Sequence, residues 1–291
     1  MQLDSLPMEP LHTLFDRAPD LEPSLPKLLR ELYGGHLSFP RNQGALPYVI
    51  GNFVSTLDGV VSYQIPGHSG GSTISGSNPG DRFIMGLLRA SADAVLVGSG
   101  TVHDVSPKHL WIPSFAYSEA AELYKSYRVR VLRKPEEPLV VIVSGSGKLD
   151  LQRAIFQARE IQKVVFTTPD GVDELTRRGA ARLPSAEIRS IEPHETRLPA
   201  RAILERLVTE FKVRLVLHEG GPMLFGGFMA ERLVNELFLT VAPQMAGRVN
   251  TAVRPGIIAG IEFSPNEAPW FDLLSARQQA NHLYLRYRLV A

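Results

Sequence analysis

Residues 213–247 read VRLVLHEGGPMLFGGFMAERLVNELFLTVAPQMAG, and their succession of strand, glycine turn, helix and second strand decides the fold class. Val213, Leu215, Val216 and Leu217 form an apolar run suited to a strand covered on both faces. His218 and Glu219 end it. Gly220 and Gly221 permit positive φ or a close approach of backbone to a ligand, and Pro222 stands where a helix start does not need its missing N–H. Met223, Leu224, Phe225, Phe228, Met229 and Leu233 supply an apolar helix face, and a strand resumes over 236–242. A strand that feeds a glycine turn into a helix N-terminus aims free N–H groups and the positive end of the helix dipole at one point, where a phosphate binds. The competing reading is an ordinary tight connection that binds nothing. Glu219 favours a ligand, because open α/β sheets place theirs at the carboxyl ends of strands.

The same alternation runs outward from this stretch. Strands are predicted over 48–53, 94–97, 139–143, 163–167, 187–191, 213–217 and 236–241, with helices over 79–91, 151–162, 172–178 and 199–211. That is the pattern of an α/β fold with a mainly parallel sheet flanked by helices. Near the end, Leu283, Leu285, Tyr287 and Leu289 alternate with Tyr284, Arg286 and Arg288, which predicts a half-exposed antiparallel edge hairpin over 271–277 and 282–289. Residues 1–46, with six prolines from Pro7 to Pro40 and one short helix over 24–33, read as an extension lying on a single main domain at 47–291. Residues 114–137, rich in Tyr, Arg, Lys and Glu, read as a helical surface insertion.

Composition narrows the chemistry. The 291 residues carry 31 Lys and Arg against 30 Asp and Glu without a basic run, which argues against an extended nucleic-acid surface. The absence of cysteine removes disulfides, thiolate catalysis and cysteine-ligated metals, and the eight histidines show no metal-ligand spacing. No metal is expected, and the chemistry falls to an organic cofactor or simple acid–base groups. Met1 to Asp4 open without a cationic region, and no apolar run approaches the ~20 residues of a membrane span, so a cytoplasmic protein is expected.

Three further loops follow predicted strands. Ser55-Thr56-Leu57-Asp58-Gly59 reads as a turn capped by Asp58 or as a catalytic carboxylate. Gly98-Ser99-Gly100-Thr101 does not complete a G-x-G-x-x-G, but its small residues let a ligand lie near backbone with the Thr101 hydroxyl as donor. Ser144-Gly145-Ser146-Gly147-Lys148 offers hydroxyls and one cation, and read alone it is a surface turn. Together with residues 220–222 these loops would line one crevice suited to a long, phosphate-bearing cofactor.

The motifs Thr56-Leu57-Asp58-Gly59, Leu88-Arg89-Ala90, Asp93 through Val102, Glu219 through Leu224, Asn235-Glu236-Leu237 and Ala242 through Gly247 occur in this order. The chain thereby resembles the reductase domain of the bacterial bifunctional riboflavin-biosynthesis deaminase-reductase, a relative of dihydrofolate reductase. The resemblance spans roughly residues 47 to 291, and neither a zinc-binding H-x-E nor a P-C-x-x-C marks a deaminase half. It implies a dihydrofolate-reductase-like fold, a homodimer, and reduction of a ribosylamino-pyrimidine 5′-phosphate by NADPH with opening of the ribose to a ribityl chain. It further implies that Thr101 and residues Gly220, Gly221, Pro222, Met223, Leu224 and Phe225 hold the cofactor pyrophosphate and ribose, with Ser144 near the adenosine and Lys148 near a 2′-phosphate. Ser75, Arg89 and Glu219 would face the substrate, and Asp58 would support the loop over the nicotinamide. Glu219, Asp104 or a bound water would supply the proton. The chain departs from the family at Asn52, where a lysine is usual, at Thr56 and after Thr101, so the alternatives are a reductase of the same fold for another pyrimidine, pterin or small carbonyl compound, a nucleotide-binding module without turnover, or a flavin binder.

Overall fold

The computed structural model describes residues 8–40, 44–65, 67–195, 197–249 and 254–290. Met1 to Asp4 and Pro7, read above for targeting and extension, lie outside them. In chain order the strands are β1 (His12–Asp16), β2 (Tyr48–Ser55), β3 (Ala94–Gly98), β4 (Leu139–Val143), β5 (Lys163–Thr167), β6 (Ala186–Ser190), β7 (Leu215–His218), β8 (Glu236–Val241), β9 (Phe271–Gln279) and β10 (His282–Leu289). The helices are α1 (Lys27–Tyr33), α2 (Gly71–Ser75), α3 (Pro79–Ser91), α4 (Ser99–Asp104), α5 (Pro113–Ala116), α6 (Ala121–Ser126), α7 (Ala154–Gln157), α8 (Pro169–Arg177), α9 (Ala200–Phe211) and α10 (Pro222–Ala230). One ten-stranded sheet runs β1-β9-β10-β8-β2-β7-β3-β4-β5-β6. Strands β8, β2, β7, β3, β4, β5 and β6 are mutually parallel, whereas β10, β9 and β1 are added antiparallel.

Strands β3, β4, β5 and β7 form on unbroken apolar runs because each is covered on both faces, whereas β6, at the sheet edge, is only partly buried. Val95, Val97, Val140, Ile142 and Leu217 pack into one core, and Val49, Leu96, Val141, Val164 and Val216 into the core on the opposite face. Helix α3 takes Asn78 as its N-cap, whose side chain accepts from the Asp81 amide, with Pro79 at its first position.

The antiparallel end differs from the expected edge hairpin. Strand β10 is interior, paired to β8 and β9, and β1 covers the far side of β9. Its buried side is also the polar one: Tyr284 and Arg286 are buried, while Leu283 is exposed. The reason is the segment 33–39, which lies over that face. Arg286 donates to Glu236 at 2.8 and 3.1 Å and to the Ser38 carbonyl at 2.9 Å, and Tyr48 completes the cluster with a 2.9 Å bond to Glu236. Arg277 lies 4.0 Å over the Tyr33 ring, donates to the Tyr33 carbonyl and the Ser275 hydroxyl, and pairs with Asp16 on β1. Buried arginines are tolerated only when paired and hydrogen-bonded, and here the partners come from β8, β9 and the N-terminal segment.

Two further expectations change. The helix over 151–162 shrinks to α7, ended by extended backbone at Ala158, whose carbonyl accepts from the Lys163 ammonium at 2.6 Å. Residues 114–137 are helical, ending in a π-helical turn at Tyr127–Val131, but they are not a surface appendage. Tyr117, Tyr124, Tyr127 and Arg128 are buried, and Arg128 donates to the Arg89, Ala90 and Ala92 carbonyls at the end of α3. The segment therefore braces the helix that carries Arg89. Among the described residues no helix is long and apolar enough to cross a membrane.

Candidate active site

The carboxyl ends of β2, β3 and β7 open onto a cleft of about 720 Å³. Its lining includes Thr101, Asp104, Gly220, Gly221 and Pro222 from the turns that follow β3 and β7, together with Ser75, Arg89 and Glu219.

The lining after β3 and β7 is built from two turns in contact. After β7 the Glu219 amide donates to the Leu96 carbonyl, so the chain leaves the sheet beside β3. A Cβ at Gly221 would lie 3.3 Å from the Thr101 hydroxyl oxygen, and one at Gly98 would lie 3.4 Å from Leu224. Neither Gly220 nor Gly221 has positive φ; the glycines are needed for close approach. A Cβ at Gly220 would fall 2.8 Å from the His218 ring and 2.9 Å from Leu224. Gly220→Ala is expected to cost ~1–3 kcal/mol by overpacking, read as a lower urea midpoint at unchanged slope. In α10 the first intrahelical bond runs from the Phe225 amide to the Gly221 carbonyl, which leaves the Met223 and Leu224 amides without intrahelical acceptors.

What this segment offers is backbone. The Phe225 side chain is buried edge-on against Phe53, with ring centroids 4.8 Å apart, and Leu224 packs between the two turns. Met223 is exposed beside Gly260. Helix α4 begins at Ser99, so the small-residue loop expected there is a helix start with Thr101 in its first turn.

The rest of the lining is dominated by a buried ion pair. Arg89 grips Glu219 through Nε at 3.0 and 3.2 Å and through Nη2 at 2.7 Å. Its Nη1 donates to the Leu110 and Ile112 carbonyls, each at 3.2 Å. All its nitrogens are thus directed to protein acceptors. His109 stands 3.5 Å from Arg89 Nη2, and burial, then the Arg89 charge, hold its imidazole down to about 3, neutral at ordinary pH. Arg153 likewise spends its terminal nitrogens on the Val105 and His103 carbonyls, tying down the loop after α4. Asp104 is exposed at the rim.

Like the side chains of Met223, Leu224 and Phe225, Asp58 and Ser144 stand apart from the cleft lining. The Asp58 carboxylate accepts from the Thr56 hydroxyl at 2.5 Å and the Ala246 and Gly247 amides at 3.1 and 2.8 Å. These bonds, the Thr56 hydroxyl first, hold it down to about 2, so it ties two turns together as an anion and carries no proton to donate. Ser144, at the end of β4, is buried with its hydroxyl unpartnered. Its loop turns back against α8, where Gly147, at φ 65°, leaves no room for a Cβ beside the Gly171 carbonyl.

Asp81 is the site residue that sequence reasoning missed. It is buried, lines the cleft and sits in the first turn of α3. Burial pushes its carboxyl up from the ordinary range against the opposing pull of the Thr240 and Ser75 hydroxyls and of His282. In the sequence an acid at this position reads as an ordinary complement to the helix dipole. Among the described residues no group of three or more His, Asp or Glu is placed to hold a metal ion.

Residues 47–268 match the RibD C-terminal domain family. The chain belongs to this family. A Chlamydia muridarum riboflavin biosynthesis protein RibD is 27% identical over 210 residues, covering 71% of this chain and 49% of that protein. The chain therefore spans about half the length of the curated relatives it matches. The fold of the RibD reductase structures is shared: Acinetobacter baumannii RibD superposes with a TM-score of 0.64 at 22% identity, over 85% of this chain and 59% of that one. A pyrimidine reductase-like protein from Corynebacterium diphtheriae gives 0.64 at 18% identity over 84% and 92%.

Proposed function

We propose that this RibD-family domain is an NADPH-dependent reductase of a ribosylamino-pyrimidine 5′-phosphate, opening the ribose to a ribityl chain. The observation that carries the reading is the meeting of the Thr101 and Gly221 turns at the rim of a cleft whose lining also includes Arg89, Glu219 and a buried acid. Two amides at the start of α10 and a neighbouring hydroxyl fit a dinucleotide pyrophosphate, by hydrogen bonds and by the helix dipole. Ser144 and Lys148 extend the reading toward an adenosine and a 2′-phosphate.

When bound, the nicotinamide supplies the hydride. The chain's own residues position, exclude water and hold the proton. Glu219 is an acceptor: its carboxylate is committed to Arg89, and its remaining lone pairs suit substrate N–H or hydroxyl groups. Asp104 is solvated at the rim. Asp81, kept protonated to higher pH by burial, is the better source of the proton that accompanies hydride arrival. NADPH oxidation should depend on the pyrimidine phosphate; binding of NADPH without any substrate-dependent oxidation would instead identify a binding module. A homodimer in the cytoplasm belongs to the same reading, and sedimentation tests the dimer.

A second reading, a reductase of the same fold for a substrate without a phosphate, is favoured by one observation. Of the three arginines lining the cleft, Arg89 and Arg153 direct their terminal nitrogens to backbone carbonyls and to Glu219, which leaves a phosphate to Arg82, held through its Nε to the Ala116 carbonyl. Turnover of the dephosphorylated pyrimidine or of a pterin at rates equal to or above those of the phosphate would select it.

A further inference from the structure

We propose that His218 is a positioning residue for the dinucleotide end of the cleft, its Nδ1 clasping the Gly220 amide and thereby setting the course of the backbone that follows. The inference rests on the reading of that end as a dinucleotide site.

His218 is the last residue of β7 and is fully buried. The Gly220 amide donates to its Nδ1 at 3.2 Å. The ring stands edge-on between Phe225 and Phe228, with centroids 5.1 and 4.7 Å away. Its Nε2 is buried without a partner. An imidazole that accepts at Nδ1 carries its proton at Nε2, so this apolar wall holds an unpaired donor. Burial pushes the imidazole down to about 3, so the acceptor persists across ordinary pH.

An unpaired buried N–H costs stability, and a leucine or phenylalanine would pack among Phe225 and Phe228 without it. The compensating feature is the clasp. The amide of a glycine in a turn has many directions open to it, and the imidazole selects one. With Gly220 drawn inward against the ring, the chain turns at Gly221 beside the Thr101 hydroxyl and enters α10 with the Met223 and Leu224 amides uncommitted. His218 touches neither cofactor nor substrate in this scheme; it acts through Gly220.

The test compares His218→Leu, which removes the acceptor, with His218→Asn, whose Oδ1 can stand where Nδ1 stood. NADPH affinity is measured by fluorescence titration, unliganded stability by melting, and KM and kcat with the substrate that the wild type turns over. The expected result is about tenfold weaker NADPH binding in His218→Leu, from loss of one ordering hydrogen bond, with an unliganded Tm close to wild type, since the Gly220 amide replaces Nε2 as the unpaired buried donor. The KM for NADPH should rise more than kcat falls. His218→Asn should stay within about threefold of wild-type affinity, since its amide oxygen restores the acceptor. Wild-type affinity in His218→Leu overturns the proposal, as does equal loss of affinity and Tm in both variants, which would make the ring packing alone. Failure of the wild type to bind NADPH overturns it too, and that result, seen before any variant is made, marks the failure of the dinucleotide reading itself. Should His218→Leu not fold, an affinity in His218→Asn more than about tenfold below wild type, at a preserved Tm, decides against the clasp, and retention supports it.

Discussion

Replacing Arg89 with methionine is expected to cost about 3–5 kcal/mol of folding stability, the range found when one partner of a buried ion pair is removed. Methionine keeps much of the stem but returns none of the hydrogen bonds. Glu219, its side chain only 8% exposed, would be left as an uncompensated charge, and the Leu110 and Ile112 carbonyls would lose their donor. Urea unfolding reads the loss as a fall in midpoint at constant slope. A change below about 1 kcal/mol would show that water enters and resolvates the carboxylate, as at an exposed pair. The double variant Arg89→Met, Glu219→Leu should recover most of the stability, because an apolar pair carries no stranded charge. It should not recover turnover. Stability would thus be separated from the role of the pair in holding the Glu219 carboxylate at the cleft wall.

Asp81→Asn is expected to lower the rate of NADPH oxidation by about 10²–10⁴-fold, the usual contribution of a positioned general acid. The pH profile carries the sharper signature. Because burial raises the Asp81 carboxyl, the wild-type rate should be highest below its folded value and fall as pH rises through it; Asp81→Asn should lack that descending limb. The stability sign runs the same way. A carboxyl raised in the folded state binds more protons folded than unfolded, so its contribution is fully present below the unfolded value and is lost as pH rises through the folded one. Asp81→Asn should therefore gain relative stability as pH climbs through that window, measured by urea midpoints at a series of pH values. A descending limb that survives in Asp81→Asn would assign the proton to another group.

The two glycine-lined turns were legible because their residues are local. Glu219-Gly220-Gly221-Pro222 announces strand end, close approach and helix start within four positions, and Thr101 follows its own strand within a few residues. The commitment of Arg89 was not legible. A leucine-flanked arginine on a helix is as well suited to a substrate anion as to Glu219, and only the packing of α3 against the end of β7 makes Glu219 its partner. Asp81 escaped for the same reason: what lifts its carboxyl is burial beneath β8, where Thr240 stands near it.

The face of β10 shows the limit of periodicity. Alternation in Leu283, Tyr284, Leu285 and Arg286 correctly announced an antiparallel strand. Tyr287 and Leu289 do pack against a core, but the deeper burial of Tyr284 and Arg286 was not announced, because hydropathy counts an arginine as outward until something covers and pairs it. Glu236, Ser38, Tyr33 and Asp16 do so from β8 and from the N-terminal segment.

By itself, then, the sequence determined the succession of strands along the chain, the turns at their carboxyl ends and the family, since each is written in short runs whose backbone and hydrophobic preferences act over a few residues. Only the tertiary structure decided which polar side chains are buried, which charges are already spent on protein partners, and which acid is pushed up by burial. Those properties depend on desolvation and on partners brought from distant parts of the chain, and both arise only when the sheet is assembled.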